Sequence, residues 1–452
     1  MNGELSRLLR LAGPVIIGEI GWMSMGLVDT LMVGPLGPAA IGATGISSGV
    51  FMAIAIFGMG LMLGLDALVS RAFGAGDLGE CLRWLHQGLT LAALVTVPVM
   101  GLTWIAFSTL AAWGLHADIA MLVGPYLRVV SFGTLPLLLY AVFRRYLQGL
   151  HVVGPIMVAL VTANLVNAVA NWALIHGHLG MPALGVEGAA WATSAARLYL
   201  ATFLGLAVLR QHRQRGAAHP TVPFSPSVAR LRTLVRIGAP AASQVTLEVG
   251  VFAAATALAG QLDPVSSAAH QIALNAASLA FMVPLGLASA GAVRVGHAVG
   301  AGDPGRAVAA GWTALGTSAV LMIAIGLVLF LWPVPLLRAF TPDPGVVEIG
   351  TDLLAIAAGF QLFDGAQAVA TGVLRGAGDT RTPMLTNMVG HWGLGLPVGY
   401  VLCFRAGLGV QGLWLGLSLG LVFVSVILTW VWARRTHTLF PPATLPPLEP
   451  AP

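Results

Sequence analysis

Four acidic residues stand in long apolar stretches where a charge needs a purpose: Glu19, Asp29, Glu248 and Asp364. A charge at the centre of a hydrocarbon layer costs at least about 2.5–3.5 kcal/mol on insertion scales. Asp29 lies in GLVDTLMVGPLG. Asn164, Asn167 and Asn171 follow at i, i+3 and i+7 of a later stretch, on one helical face, and Thr193 comes in GAAWAT. One carboxylate with amide and hydroxyl oxygens is a donor set for a proton or for a hard cation such as Na⁺. The same residues also describe an Asn–Asp zipper that only joins helices. Glu248 comes one turn after Gln244, and Asp364 is flanked by Gln361 and Gln367 at three-residue spacing. Acids with amide company in apolar surroundings suit reversible protonation, or else are neutral groups bonded to Gln. Glu19 and Asp29 are ten residues apart, about 1000° of helix, so they do not share a narrow face. Glu19 therefore faces a cleft or caps a polar network. His391 reads as a packing histidine or a proton carrier. Asp66, near the end of its stretch, is expected to pair with Arg71.

The elements that hold these residues follow from composition. Charged residues are 9% of the 452-residue chain, and the apolar set without glycine is already 57%. Soluble domains carry about 25% charge. A chain this long cannot cover a water-facing surface with so few ionised groups, which excludes a soluble enzyme, a disordered scaffold and a nucleic-acid binder. Twelve apolar stretches of about 20 residues emerge. They run over 11–33, 46–69, 87–111, 126–147, 155–175, 187–209, 233–260, 270–293, 309–332, 347–371, 384–404 and 410–432. Lipid forces each to satisfy its backbone internally, so the spacing predicts twelve transmembrane helices in an all-α protein. The first stretch is too long for a signal-peptide core and carries two acids, so it reads as a retained helix.

Arginine placement tests that count. The chain has no lysine, and 18 of its 22 arginines fall on the side that holds both termini. Arg128, Arg338 and Arg405 fall on the other side, and Arg197 lies inside the sixth stretch. The positive-inside rule then puts both termini in the cytoplasm, which explains the net charge of +5 without nucleic acid. Cys81 and Cys403 end up on opposite sides and cannot form a disulfide with each other. The halves repeat at an offset of 226: Pro14 meets Pro240, Gly60-Leu61 meets Gly286-Leu287, and GAGD at 74–77 meets GAGD at 300–303. GLGVQG at 407–412 echoes ALGVEG at 183–188. An even number of helices per repeat relates the halves by a pseudo-two-fold axis along the membrane normal. The expected organisation is an N-terminal six-helix lobe (1–212), a cytoplasmic linker (213–232), a C-terminal six-helix lobe (233–440) and a Pro-rich tail (441–452). Two equivalent bundles around a cleft suit alternating access. Met23, Met25, Met32, Met52, Met59 and Met62 fit a permissive drug pocket, or ordinary core filling. There is no Walker loop and no Cys/His set with zinc spacing.

The chain resembles the multidrug and toxic compound extrusion (MATE) transporters, and their NorM-type branch in particular, over about residues 8–435. The resemblance rests on LVDTLMVG (27–34), the stretch SSAAHQIALNAASLAFMVPLGLASAGAVRVGHAVGAGD (266–303), QAVATGVLRGAGDTRTPM (367–384) and GLGLPVGY (393–400). It implies a secondary antiporter, not an enzyme, in the plasma membrane. Such a protein exports lipophilic, often cationic drugs in exchange for Na⁺ or H⁺. It needs no cofactor beyond that coupling ion. Small organic cations and membrane lipids are its expected partners, nucleic acid is not, and it is expected to act as a monomer. By position, Asp29 matches the aspartate of the first helix, with Asn167, Asn171 and Thr193 as its partners at a possible Na⁺ site. Glu248 and Asp364 match the acidic pair of the C-terminal lobe. Asn171 stands where some relatives have an acid, and Glu19 where a glutamine is common. A lipid-linked-precursor flippase of the wider superfamily is the alternative, but it should show a basic cleft for pyrophosphate. A membrane-embedded transferase would need one compact polar site within one half.

Overall fold

The computed structural model describes residues 2–110, 117–215 and 222–439. The tail at 441–452 and the centre of the polar linker, 216–221, lie outside the described residues. Among the described residues all regular structure is helical. In the first half, α1 spans Asn2–Val33. Helices α2 (Pro38–Leu61) and α3 (Gly64–Gly74) follow each other with only Met62 and Leu63 between. Next come α4 (Leu78–Ser108), α5 (Ala117–Phe132), α6 (Thr134–Gly149), α7 (Gly154–His176) and α8 (Val186–Arg215). The second half has α9 (Val228–Ala259), α10 (Pro264–Gly300), α11 (Pro304–Leu331), the short α12 (Pro333–Arg338) and α13 (Pro344–Gly376). Then α14 (Arg381–Asn387) runs through a π-helical stretch (Met388–Gly395), α15 (Leu396–Tyr400) and a second π turn (Val401–Arg405) before α16 (Gly409–Leu439).

Ten helical runs are long and apolar enough to cross a membrane, and the pair α5–α6, bent by 45°, makes an eleventh. The run over 381–405, broken into pieces by its π turns, is the twelfth. These are the twelve stretches read from the sequence. The helices are longer than the apolar stretches because a helix continues into the polar layers: α10 alone has 37 residues. Their outer faces are apolar. On α11, Val320, Ile323, Leu327 and Phe330 are exposed at helical spacing, as the solvent side of a lipid-embedded helix must be.

The repeat is visible as reciprocal contacts between the lobes. A Cβ on Gly74 would strike the backbone of His297, and one on Gly300 the backbone of Arg71. Residues 71 and 297 are equivalent at the offset of 226, as are 74 and 300. Likewise Gly60 abuts Ala242, and Gly286 abuts Ile16. Contacts that exchange in this way mark a two-fold relation. The GAGD motifs also have a local reason. Gly76 (φ 78°) and Gly302 (φ 67°) take the left-handed conformation that ends one helix. Asp77 and Asp303 then cap the next, accepting from the backbone N–H of Glu80 at 2.7 Å and of Arg306 at 2.9 Å.

The lobes are tied together on one side only. Among the described residues, every hydrogen bond and ion pair between them lies in the half that holds the chain ends. Arg294 of α10 pairs with Glu4 of α1. Buried Asp66 of α3 lies 3.3 Å from Arg375 of α13 and 3.5 Å from Arg145 of α6. Arg145 also donates to Ser289 of α10 at 3.3 Å, and His297 meets the Gly149 carbonyl at 2.6 Å. The expected pair of Asp66 with Arg71 is therefore corrected. Five residues are about 500° of helix, which leaves the two side chains on different faces. Arg71 instead packs against Gly378. Cys81 and Cys403 are both buried, and among the described residues neither is in a disulfide.

Candidate functional site

The N-terminal cluster gathers on Asp29. Its Oδ1 accepts from the amide nitrogens of Asn167 at 2.9 Å and Asn171 at 2.7 Å, and its Oδ2 from the Thr193 hydroxyl at 2.9 Å. Helices α1, α7 and α8 thus meet at one carboxylate that is 7% exposed. Asn171 also donates to the Asn167 oxygen at 3.2 Å. Asn164, on the same face of α7, does not join: its amide donates to the Gly21 carbonyl at 2.8 Å and fastens α7 to the backbone of α1.

The C-terminal cluster centres on Glu248 of α9. It accepts from Gln244 at 2.5 Å within its own helix and from Gln367 of α13 at 2.9 Å. The Gln367 oxygen lies 3.2 Å from Nε2 of His391, so the chain of polar groups crosses three helices. His391 sits in the π-helical stretch Met388–Gly395, where the extra residue per turn re-aims side chains. Asp364 is buried on α13, three residues before the Gln367 that bonds Glu248, yet no described residue bonds to it. Gln361 does not flank the acid as the three-residue spacing suggested. Both ends of its buried amide lack a partner, and its Cβ points to Gly326 of α11. Gln361 and Gln367 lie about 60° to either side of Asp364 around the helix, so they meet different neighbours: Gln367 turns to α9 and Gln361 to α11.

Glu19 belongs to neither cluster. It pairs with Arg144 of α6, whose Nη1 donates to the Tyr140 hydroxyl at 3.1 Å. The Trp22 ring stacks on Tyr140 with centroids 5.4 Å apart. Of the two placements open to Glu19, the polar network is the observed one. Of the clustered methionines, Met25 and Met62 are core residues.

Two residues near Asp29 were missed as site members. Tyr126 of α5 is buried, and its hydroxyl lies 2.9 Å from that of Ser48. Arg197 of α8, one turn after Thr193, is 6% exposed, with its guanidinium 4.5 Å over the Phe51 ring. An arginine deep inside an apolar stretch was the signal that could have found it.

Comparison with known proteins agrees with this architecture. The profile of the MatE family matches residues 14–173 and 240–401, one block in each lobe. A protein of Mesorhizobium japonicum named "Probable multidrug resistance protein NorM" is 36% identical over 439 residues, covering 96% of this chain and 94% of its own. "Multidrug resistance protein NorM" of Burkholderia vietnamiensis is 36% identical over 95% of this chain and 94% of its own. Among solved structures, a eukaryotic MATE transporter superposes with a TM-score of 0.86 at 23% identity, covering 96% of this chain and 98% of its own. An outward-facing MATE transporter reaches 0.86 at 21% identity, covering 96% of each chain. The paired six-helix lobes, the two-block match and the relatives' identity over nearly the whole length lead to one conclusion: this multi-pass membrane protein belongs to the MatE family, in its NorM-type branch.

Proposed function

We propose that the protein is a secondary antiporter that exports lipophilic, mostly cationic compounds by alternating access in exchange for H⁺ or Na⁺. It acts as a monomer in the plasma membrane, with both termini in the cytoplasm, and catalyses no covalent chemistry. The observation that carries this reading is the acidic pair Glu248 and Asp364, held inside lipid-embedded helices with no arginine among the described residues bonded to either. A cationic drug entering a low-dielectric cleft loses hydration, and an ionised carboxylate offsets that loss. The same carboxylate lets the drug go when it takes up a proton or another cation. Competition for one charge links the two fluxes, because binding free energies are reciprocal. Membrane potential adds about 2.3 kcal/mol per charge per 100 mV. The closure on the termini side, with no polar tie between lobes opposite it among the described residues, fits the state in which the cleft faces outward. The deep acids argue against the basic cleft of a pyrophosphate-lipid flippase.

The test uses everted membrane vesicles and a fluorescent lipophilic cation, with a Na⁺ gradient and a pH gradient imposed separately. Accumulation driven by one of them, and absent in vesicles without the protein, is expected. Accumulation that needs ATP and ignores both gradients would overturn the proposal.

A further inference from the structure

Arg197 is a cation without an acid of its own. It is buried on α8, and no carboxylate among the described residues comes within ion-pair distance of it. Its guanidinium sits 4.5 Å over the Phe51 ring, and its Nη1 has no hydrogen-bond partner. The bend between α5 and α6 makes room for it: a Cβ on Gly133 would meet Arg197 Nη1 at 3.2 Å and the Ser194 hydroxyl at 3.0 Å. Inside a membrane such a group is costly, so its charge must be balanced by something nearby. The carboxylate of its neighbourhood is Asp29 of α1: Thr193, one helical turn before Arg197 on α8, bonds to the Asp29 carboxyl at 2.9 Å.

The hydrogen bonds of Asp29 point the same way. Its Oδ1 accepts from two amide N–H groups, and its Oδ2 shares a hydrogen bond with the Thr193 hydroxyl, whose single proton also has the Ala189 carbonyl within reach at 3.0 Å. Both carboxyl oxygens are thus already engaged by the protein. A Na⁺ site would turn oxygens toward the ion instead. An ionised Asp29 beside Arg197 leaves the cluster without net charge. A further cation brought there would meet the guanidinium's repulsion in a low dielectric.

We propose that Arg197 is the resident cation of the Asp29 cluster: it takes the place of the coupling ion there, so that the exchanged charge is handled by Glu248 and Asp364. Arg197 is thus a specificity-determining residue, rejecting Na⁺ from the N-terminal lobe. The proposal rests on the antiporter reading for its meaning, but its test needs no transport.

The experiment is binding of radioactive ²²Na⁺ to the purified full-length protein in detergent, with thermal unfolding of each variant as a check on folding. In the wild-type protein, Asp29→Asn is expected to leave Na⁺ binding unchanged. Arg197→Gln is expected to bind at least about tenfold more Na⁺ than the wild type at a fixed sub-saturating concentration, about what removing one nearby like charge gives. That gain should vanish in the Arg197→Gln/Asp29→Asn double variant, and Arg197→Lys should behave as wild type. Loss of wild-type Na⁺ binding on Asp29→Asn overturns the proposal, as does a folded Arg197→Gln protein with no new binding. The Asp29→Asn arm decides the matter alone if Arg197→Gln does not fold. If the pattern holds while the vesicles show no gradient-driven uptake, only the antiporter reading fails.

Discussion

Glu248 is held by two amides and Asp364 by none, and the contrast bears on what each can do. The bonded carboxylate is pre-positioned, whereas the unbonded one is free to meet a ligand or a proton. In the proposed exchange the two carboxylates handle one charge and act as a unit. Glu248→Gln and Asp364→Asn are each expected to abolish resistance to lipophilic cations at normal expression. The double variant should be scarcely worse than either single one, since coupled sites are not additive. Growth in the presence of a lipophilic cation, with membrane expression matched, measures this. Near-wild-type resistance in both single variants would remove the pair from the mechanism.

At the scale of elements, the close approach of α3 and α10 depends on glycines at equivalent positions. Neither Gly74 nor Gly300 leaves room for a side chain against the opposite backbone. Backbone cannot step aside as a flexible side chain can. Gly300→Leu should therefore disfavour the closed termini side by about 1–3 kcal/mol, the usual cost of overpacking. That is roughly a 5- to 150-fold shift between the two arrangements of the lobes. Gly45→Ala is the control, because nothing lies within 4 Å of its Cβ position. The rate of cross-linking between cysteines at positions 70 and 296, whose residues touch in this structure, should fall in Gly300→Leu and stay unchanged in Gly45→Ala.

For the whole molecule, orientation follows from the arginine surplus on the termini side. Part of that surplus does not face water: Arg144, Arg294 and Arg375 are all buried in ion pairs, with Arg294 and Arg375 joining the lobes. Single cysteines replacing Arg213 and Arg434 should react with a membrane-impermeant maleimide only in everted vesicles. Labelling of either in intact cells would break the twelve-helix arrangement.

Much of this protein was open to sequence reasoning because lipid imposes a simple rule. Every span must be apolar, about 20 residues long and internally bonded, so twelve helices could be counted directly. The constant offset of 226 disclosed two equivalent lobes, and helical spacing put Asn167 and Asn171 on one face; that Asp29 of another helix meets them was what the family resemblance implied. Partners across the fold were not legible in this way. Asp66 faces Arg375, more than 300 residues away, and Glu19 faces Arg144, because packing between helices sets those contacts and periodicity along one helix does not. Gln367 rather than Gln361 reaches Glu248 for the same reason: the spacing admits both, and only the angle at which α13 meets α9 chooses between them. Which side of the cleft is closed is likewise a tertiary fact. Two lobes with a two-fold relation can rock either way, and the contacts of Gly74, Gly300, Asp66 and Arg294 select one.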